Sequence, residues 1–184
     1  MVTAMKRTVR LALASSLLLA VAACETAAPP PPPPPPGNAG PPSANVFRPA
    51  DFSWSAVPGK GRIDGKLTFR NGQVTYSCAG AGVILTPETL WTRRRMTILY
   101  NSPNAAALPA DEVRARTPSA PNGDYSAFVR RTTCDANNRF NFQGLANGAW
   151  FVITVAKPIG GGVPDMAIMR RVEIRAGKAV NVEL

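Results

Sequence analysis

The chain from Val46 to Leu184 predicts an all-β fold, a single β-sandwich of about seven strands with a long, partly helical connection over 88–122. Three observations lead there. Apolar residues alternate with polar ones at period 2 in several short runs. Turn-forming residues recur every ~8–12 positions between them. The segment is also long enough for one packed core.

The elements follow in order. Leu67 to Arg70, then Asn71-Gly72, then Gln73 to Tyr76 reads as a hairpin, since Asn-Gly tolerates positive φ at both central positions of a type I′ turn. Gly82 to Thr86 is a short buried strand ended by Pro87. Tyr125 to Cys134 is a strand, and Arg139-Phe140-Asn141-Phe142 alternates polar and aromatic. Trp150 to Ala156 is an apolar strand, and Ile168 to Arg175 and Lys178 to Leu184 close the chain around Ala176-Gly177. Thr89 to Tyr100 fits either a short helix or a bulged strand, and Pro109 to Arg116 fits a helical turn. Pro103, Pro109, Pro118 and Pro121 argue against continuous regular structure in this stretch.

Two segments precede the domain. Lys6, Arg7 and Arg10 form a basic start, followed by the uncharged run Leu11 to Ala23, too short to span a bilayer and suited to the core of an export signal. That run ends Val21-Ala22-Ala23-Cys24, which resembles the lipobox of bacterial lipoproteins. The resemblance implies a signal peptide over 1–23, cleavage before Cys24, and diacylglycerol on the Cys24 thiol. Two or three acyl chains hold a protein on a membrane effectively permanently. Glu25, in place of the aspartate that retains enterobacterial lipoproteins in the inner membrane, directs the expectation to the outer membrane, facing the periplasm. Residues 24–45 then hold the lipidated cysteine and a Pro-rich linker with eight consecutive prolines, Pro29 to Pro36. Such a run reads as a polyproline II spacer of about 25 Å.

Within the domain, Asp135-Ala136-Asn137-Asn138 followed by Phe140, Phe142, Gly144, Leu145, Gly148 and Trp150 resembles the carboxypeptidase regulatory-like family. Gly61 to Gly65 and Val83 to Pro87 fit its first pair of strands. The resemblance implies an Ig-like or transthyretin-like sandwich, also described as a carbohydrate-binding-like fold, over 46–184. The aromatics read as core, and Asp135, Asn137 and Asn138 as a turn.

Composition excludes much chemistry. The 184 residues include no histidine, so no Ser-His-Asp or Cys-His nucleophile, histidine base or histidine-ligated metal can form. Three cysteines cannot build a metal site that needs four cysteine ligands. The chain therefore reads as a non-enzyme without a cofactor. With Cys24 used by lipid, Cys78 and Cys134 remain to form one disulfide in an oxidising compartment.

Charge is the last signal. There are 21 Lys and Arg against 11 Asp and Glu, and 18 basic residues remain once the signal is removed, a net charge of +7. Arg93, Arg94 and Arg95, Arg130 and Arg131, and Arg170 and Arg171 are clustered. Guanidinium groups suit phosphate and carboxylate. These arginines, with exposed Trp91, Tyr100 or Trp54, are candidate sites for anionic glycan, and most are expected to point to solvent.

The sequence thus points to an envelope lipoprotein whose sandwich is a structural or protein-interaction module, working through an exposed edge or the 88–122 segment. The alternative is carbohydrate, lipopolysaccharide or peptidoglycan binding through the arginines. The membrane is a partner through the anchor, an envelope protein or glycan is the further partner, and nucleic acid belongs to another compartment.

Overall fold

A computed structural model describes residues 42–184. The expected signal peptide, Cys24 and the linker as far as Pro41 lie outside the described residues.

Among the described residues ten strands form in chain order: β1 (Gly61–Lys66), β2 (Arg70–Asn71), β3 (Val74–Ser77), β4 (Gly82–Pro87), β5 (Ala105–Pro109), β6 (Arg130–Thr133), β7 (Arg139–Leu145), β8 (Gly148–Pro158), β9 (Met166–Ile174) and β10 (Ala179–Glu183). Two helices, α1 (Leu90–Tyr100) and α2 (Ala110–Arg116), lie between β4 and β6. Short 3-10 turns occupy Pro49–Ala56, Thr117–Ser119 and Ser126–Phe128.

The strands divide into two sheets. In the smaller, β1 sits between a parallel β10 and an antiparallel β7. In the larger, β8 is central: β9 and then β5 lie on one side, and β4 and then β6 on the other. The β2–β3 hairpin pairs with the far end of β8.

The alternation along β8 explains the layering. Trp150, Val152 and Ala156 enter the cluster between the two sheets, where they meet Ile63, Phe140, Phe142 and Val182. Phe151 points the other way, joined by Ile153 and Val155, onto Met96, Leu99, Tyr100 and Val113 of the helices. A strand apolar on both faces is one covered on both faces. The molecule is therefore a β-sandwich with a helical insert, as the sequence predicts in outline; the helices of the 88–122 connection form a layer on one side, and the described residues hold ten strands rather than about seven.

The segment 88–122 carries most of the difference. Residues 90–100 resolve as a helix, for a local reason. Thr89 Oγ1 accepts the Thr92 amide at 3.1 Å, and Thr92 Oγ1 accepts the Thr89 amide at 2.7 Å, a reciprocal cap. Asn101, at φ 54°, ends the helix in the left-handed region. The connection also contains β5, an alanine-rich strand with little intrinsic preference for extended structure. Its pairing with β9 supplies what propensity does not.

Two other elements shift. Asn71 is paired with Val74, so the hairpin loop is Gly72-Gln73, one residue later than expected, and Gly72 alone takes positive φ (60°). The strand expected over 125–134 begins only at Arg130. Before it, Asp124 Oδ1 accepts the Ser126 amide at 3.0 Å and starts a 3-10 turn instead.

Cys78 and Cys134 are joined as a disulfide, with Cα atoms 5.7 Å apart. It ties the chain after β3 to the end of β6. Asn138 Oδ1 accepts from the Cys78 amide (2.9 Å) and the Ser77 hydroxyl (2.7 Å), so the 135–139 turn is fastened to the same point.

Candidate functional site

The arginine pairs do not make a common site. Adjacent residues in a strand face opposite ways, so Arg130 and Arg131 part company, as do Arg170 and Arg171. Arg130 and Arg170 lie three strands apart in one cross-strand row, with Leu85 and Val152 between them. Arg131 heads a different row, through Ile84 and Ile153 to Met169.

Several of these arginines are already engaged. Glu88 is the meeting point of two: its Oε1 takes Arg93 Nη1 at 2.6 Å, and its Oε2 takes Arg171 Nη2 at 2.7 Å. Arg130 donates to the carbonyl of Gln143 at 3.2 Å and lies 5.9 Å from the Trp150 ring centroid. Arg95 donates to the Pro121 carbonyl at 2.8 Å, and its guanidinium lies 5.8 Å from the Trp91 ring and 5.7 Å from the Tyr125 ring. Arg94, Arg131 and Arg170 are exposed.

The expected exposed aromatics are not exposed. Trp91 is fully buried, with Phe47 at 5.3 Å, Phe52 at 6.3 Å and Tyr125 at 5.2 Å between ring centroids. It is the centre of a separate aromatic cluster, because the helix turns it onto Phe47 and Phe52. Trp54 is half-buried and packs 5.1 Å from Trp150. Tyr100 is buried, and that burial, with Tyr125 beside it, pushes its hydroxyl up to about 12.

This arrangement corrects the expectation that most of the clustered arginines point to solvent: in the 93–95 run only Arg94 is exposed. Arg95→Ser should lower stability by about 1–3 kcal/mol, from a lost hydrogen bond and lost ring contacts. Arg94→Ser should stay within about 0.5 kcal/mol of wild type. Thermal unfolding of the two single variants checks the contrast.

The most polar concerted surface lies elsewhere, on the outer face of the three-stranded sheet. In each strand the inward residues are apolar or glycine: Ile63 and Gly65, Phe140 and Phe142, Val180 and Val182. The residues between them therefore point outward. Register then sets Asp64 beside Asn141 on one side and Asn181 on the other, and Lys66 beside Arg139 and Glu183. Arg62 Nε closes on Asp64 Oδ2 at 2.7 Å, and Thr68 donates to Glu183 at 2.5 Å.

One depression opens on this face and a second at its β7 edge, where β6 of the larger sheet also lines it. The first, of about 420 Å³, is lined by Asp64, Lys66, Thr68, Arg139, Asn181 and Glu183. The second, of about 320 Å³, is lined by Asp64, Arg139, Asn141, Asp135, Thr132 and Thr133. Asp64, Gly65 and Arg139 border both. Asp135 also serves the turn: its Oδ1 accepts the amides of Asn137 and Arg139, each at 2.8 Å.

The chemistry of this face is that of mutual donors and acceptors. Carboxamides both donate and accept, carboxylates accept, and guanidinium and ammonium donate. The charges are mixed in sign. A smaller cavity of about 230 Å³ lies by Tyr125, Asp124 and Arg131; the Ser126 hydroxyl and amide hold Asp124 below the usual carboxylate range. Another of about 230 Å³ runs beside β5, lined by Phe69, Ala106, Ile168 and Arg170 among others. No group of three or more acids and cysteines that could hold a metal ion occurs among the described residues.

None of Asp64, Asn141 and Asn181 stands out in the sequence as a site residue. Alternation alone marks each as outward, but their adjacency depends on the antiparallel pairing of β1 with β7 and the parallel pairing of the first and last strands.

No protein-family model and no curated protein matches the chain. Among solved structures, it is similar to a candidate carbohydrate binding protein, PA1324, from Pseudomonas aeruginosa. The identity is 21%, the overlap covers 77% of this chain and 100% of that one, and the TM-score is 0.55. A second overlap, with the minor pilin GBS52 of Streptococcus agalactiae, has 15% identity over 70% of this chain and 44% of that one. Its TM-score of 0.32 supports no argument. What the first likeness establishes is a shared β-sandwich fold.

Proposed function

We propose that the chain is a lipid-anchored, non-catalytic module of the bacterial envelope that binds carbohydrate on the outer face of its three-stranded sheet. The carrying observation is the outward row Asn141–Asp64–Asn181, bordered by Arg139, Lys66 and Glu183 over two adjoining depressions. Sugar hydroxyls donate and accept in turn, and such a row meets both needs across neighbouring strands about 4.8 Å apart. The shared fold with a protein described as a candidate carbohydrate binding protein supports the reading, as does the resemblance to the carboxypeptidase regulatory-like family. The balance of charges on the face favours neutral sugars over anionic ones. This moves the proposed site away from the arginine pairs.

The test is retention of the purified protein in gels containing soluble polysaccharides. Asp64→Ala combined with Asn181→Ala should weaken retention about tenfold or more, as expected for two lost hydrogen bonds. Unfolding should be nearly unchanged, since both side chains are on the surface. Added salt should have little effect, whereas a site built on arginines would lose affinity steeply. Equal retention of variant and wild type would remove this face from consideration.

The anchor is tested separately. Palmitate should label the wild type and not Cys24→Ser.

One observation favours a second reading, a protein-binding edge. Strand β5 pairs with β9 on one side only, and it lies within the 88–122 segment. An edge strand of this kind can accept a strand from a partner. Placing proline at Ala107, whose amide faces away from β9 because the Asn104 carbonyl and the Ala110 amide bracket the ladder on the β9 side, should abolish such pairing and leave carbohydrate retention intact.

A further inference from the structure

The domain has two ends, and they differ in surface chemistry. The N-terminal segment packs at the start of β8, where Trp54 meets Trp150 and the Gly59 amide donates to Gly144. From Gly148 to Pro158, β8 runs about 33 Å at ~3.3 Å per residue. At its far end, residues 158–164 form the loop that leads to β9.

That loop presents apolar side chains to solvent. Ile159 is 62% exposed and Val163 41% exposed, and they are separated only by Gly160, Gly161 and Gly162. All three glycines have positive φ, between 73° and 94°, a path that residues with a Cβ rarely take. Pro158 and Pro164 bracket the loop.

Cations flank it. The Ile159 amide donates to the Thr75 carbonyl at 2.9 Å, and Thr75 is paired with Arg70. Lys157 immediately precedes the loop and is paired with Ser77. Arg70 and Lys157 are exposed, and neither has an acidic partner among the described residues. Asp165, half-buried, is the acidic residue next to Pro164.

We infer that this tip is a membrane contact, which seats Ile159 and Val163 at the headgroup boundary of an anionic bilayer while Arg70 and Lys157 face its phosphates. Branched aliphatic side chains partition from water into that boundary, and each nearby Lys or Arg adds attraction to anionic lipid. The charge complementarity selects a lipid surface over an apolar protein groove, which would leave both cations without a counter-charge. The contact is independent of the carbohydrate face. It is also independent of lipidation, since the cations and aliphatics belong to the folded domain.

Residues 42–184 belong to one compact unit with its own core, so they can be tested alone. These are mixed with vesicles of phosphatidylethanolamine and phosphatidylglycerol, and separately with vesicles of phosphatidylcholine, and floated on a density gradient. The wild type should float with the first and much less with the second. Ile159→Asp with Val163→Asp should reduce flotation about tenfold or more. Arg70→Glu with Lys157→Glu should abolish the preference for phosphatidylglycerol. Circular dichroism confirms that each variant folds, and Ile159→Ser with Val163→Ser serves if the aspartates disturb the loop. Failure of the wild type to float, or flotation unchanged by both sets of substitutions, would overturn the inference. So would self-association without vesicles that the aspartate substitutions abolish, which would make the loop's occupant a second copy of the chain.

Discussion

Removing the Cys78–Cys134 bridge should lower the stability of the domain by about 4 kcal/mol, the value that chain entropy gives for a loop of this size. The sequence separation is 56 residues, and the loop it closes holds β4, both helices, β5 and β6. Without the bridge, the unfolded chain regains the freedom to separate these ends. Both cysteines are buried, and the turn held by Asn138 is attached beside them, so the folded state also loses packing at one corner. The measurement is urea unfolding of Cys78→Ser with Cys134→Ser against the oxidised wild type. A midpoint shift equivalent to less than about 1 kcal/mol would mean that the loop is already restricted in the unfolded chain.

Trp91→Ala should be of similar size, a loss of about 3–5 kcal/mol, as for other buried aromatics. The ring is enclosed by Phe47, Phe52 and Tyr125, and Arg95 lies over it. Truncation leaves a cavity beneath the first turn of α1 and removes one of the two rings near the Arg95 guanidinium. Carbohydrate retention, measured at a temperature where the variant is still folded, should be unchanged, because Trp91 belongs to the helical layer. The opposite result, a stable protein that no longer binds, would restore Trp91 as a ligand-contacting residue.

The contrast between Trp91 and Asp64 shows what a linear sequence reveals here. Strands β4, β7, β8, β9 and β10 are legible because their apolar residues alternate or run continuously and are bounded by turns. The aromatic pair Phe140 and Phe142 is legible as core for the same reason. The disulfide follows from an even remainder of cysteines. Strand β5 is not legible: Ala105-Ala106-Ala107 has no pattern, and only the edge of β9 makes it extended. The 3-10 turn at Pro49–Ala56 is likewise hidden, since its role is to place Phe52 and Trp54 against rings far along the chain.

For the site, clustering in sequence misleads. Arg130-Arg131 and Arg170-Arg171 look like patches, yet a strand sends neighbours to opposite faces, and that much is available from period 2 alone. Trp91 looks like an exposed aromatic because the run of arginines beside it is polar. The helix turns Arg94 to water and Trp91 inward. In the other direction, Asp64, Asn141 and Asn181 are scattered over more than half of the domain. Their side chains become a row only when β10 returns to lie parallel to β1. A pairing between the first and last strands of a domain leaves no local mark on either.

The central claim is that carbohydrate binds on that row. Amide chemical shifts of isotopically labelled residues 42–184, followed during titration with a neutral oligosaccharide that the retention gels select, test it most directly. The account predicts saturating shifts centred on Asp64, Asn141, Asn181 and Arg139, with the amides of α1 and of the 159–163 loop unmoved. Shifts centred instead on Tyr125 and Arg131, on β5, or nowhere in the domain would contradict it.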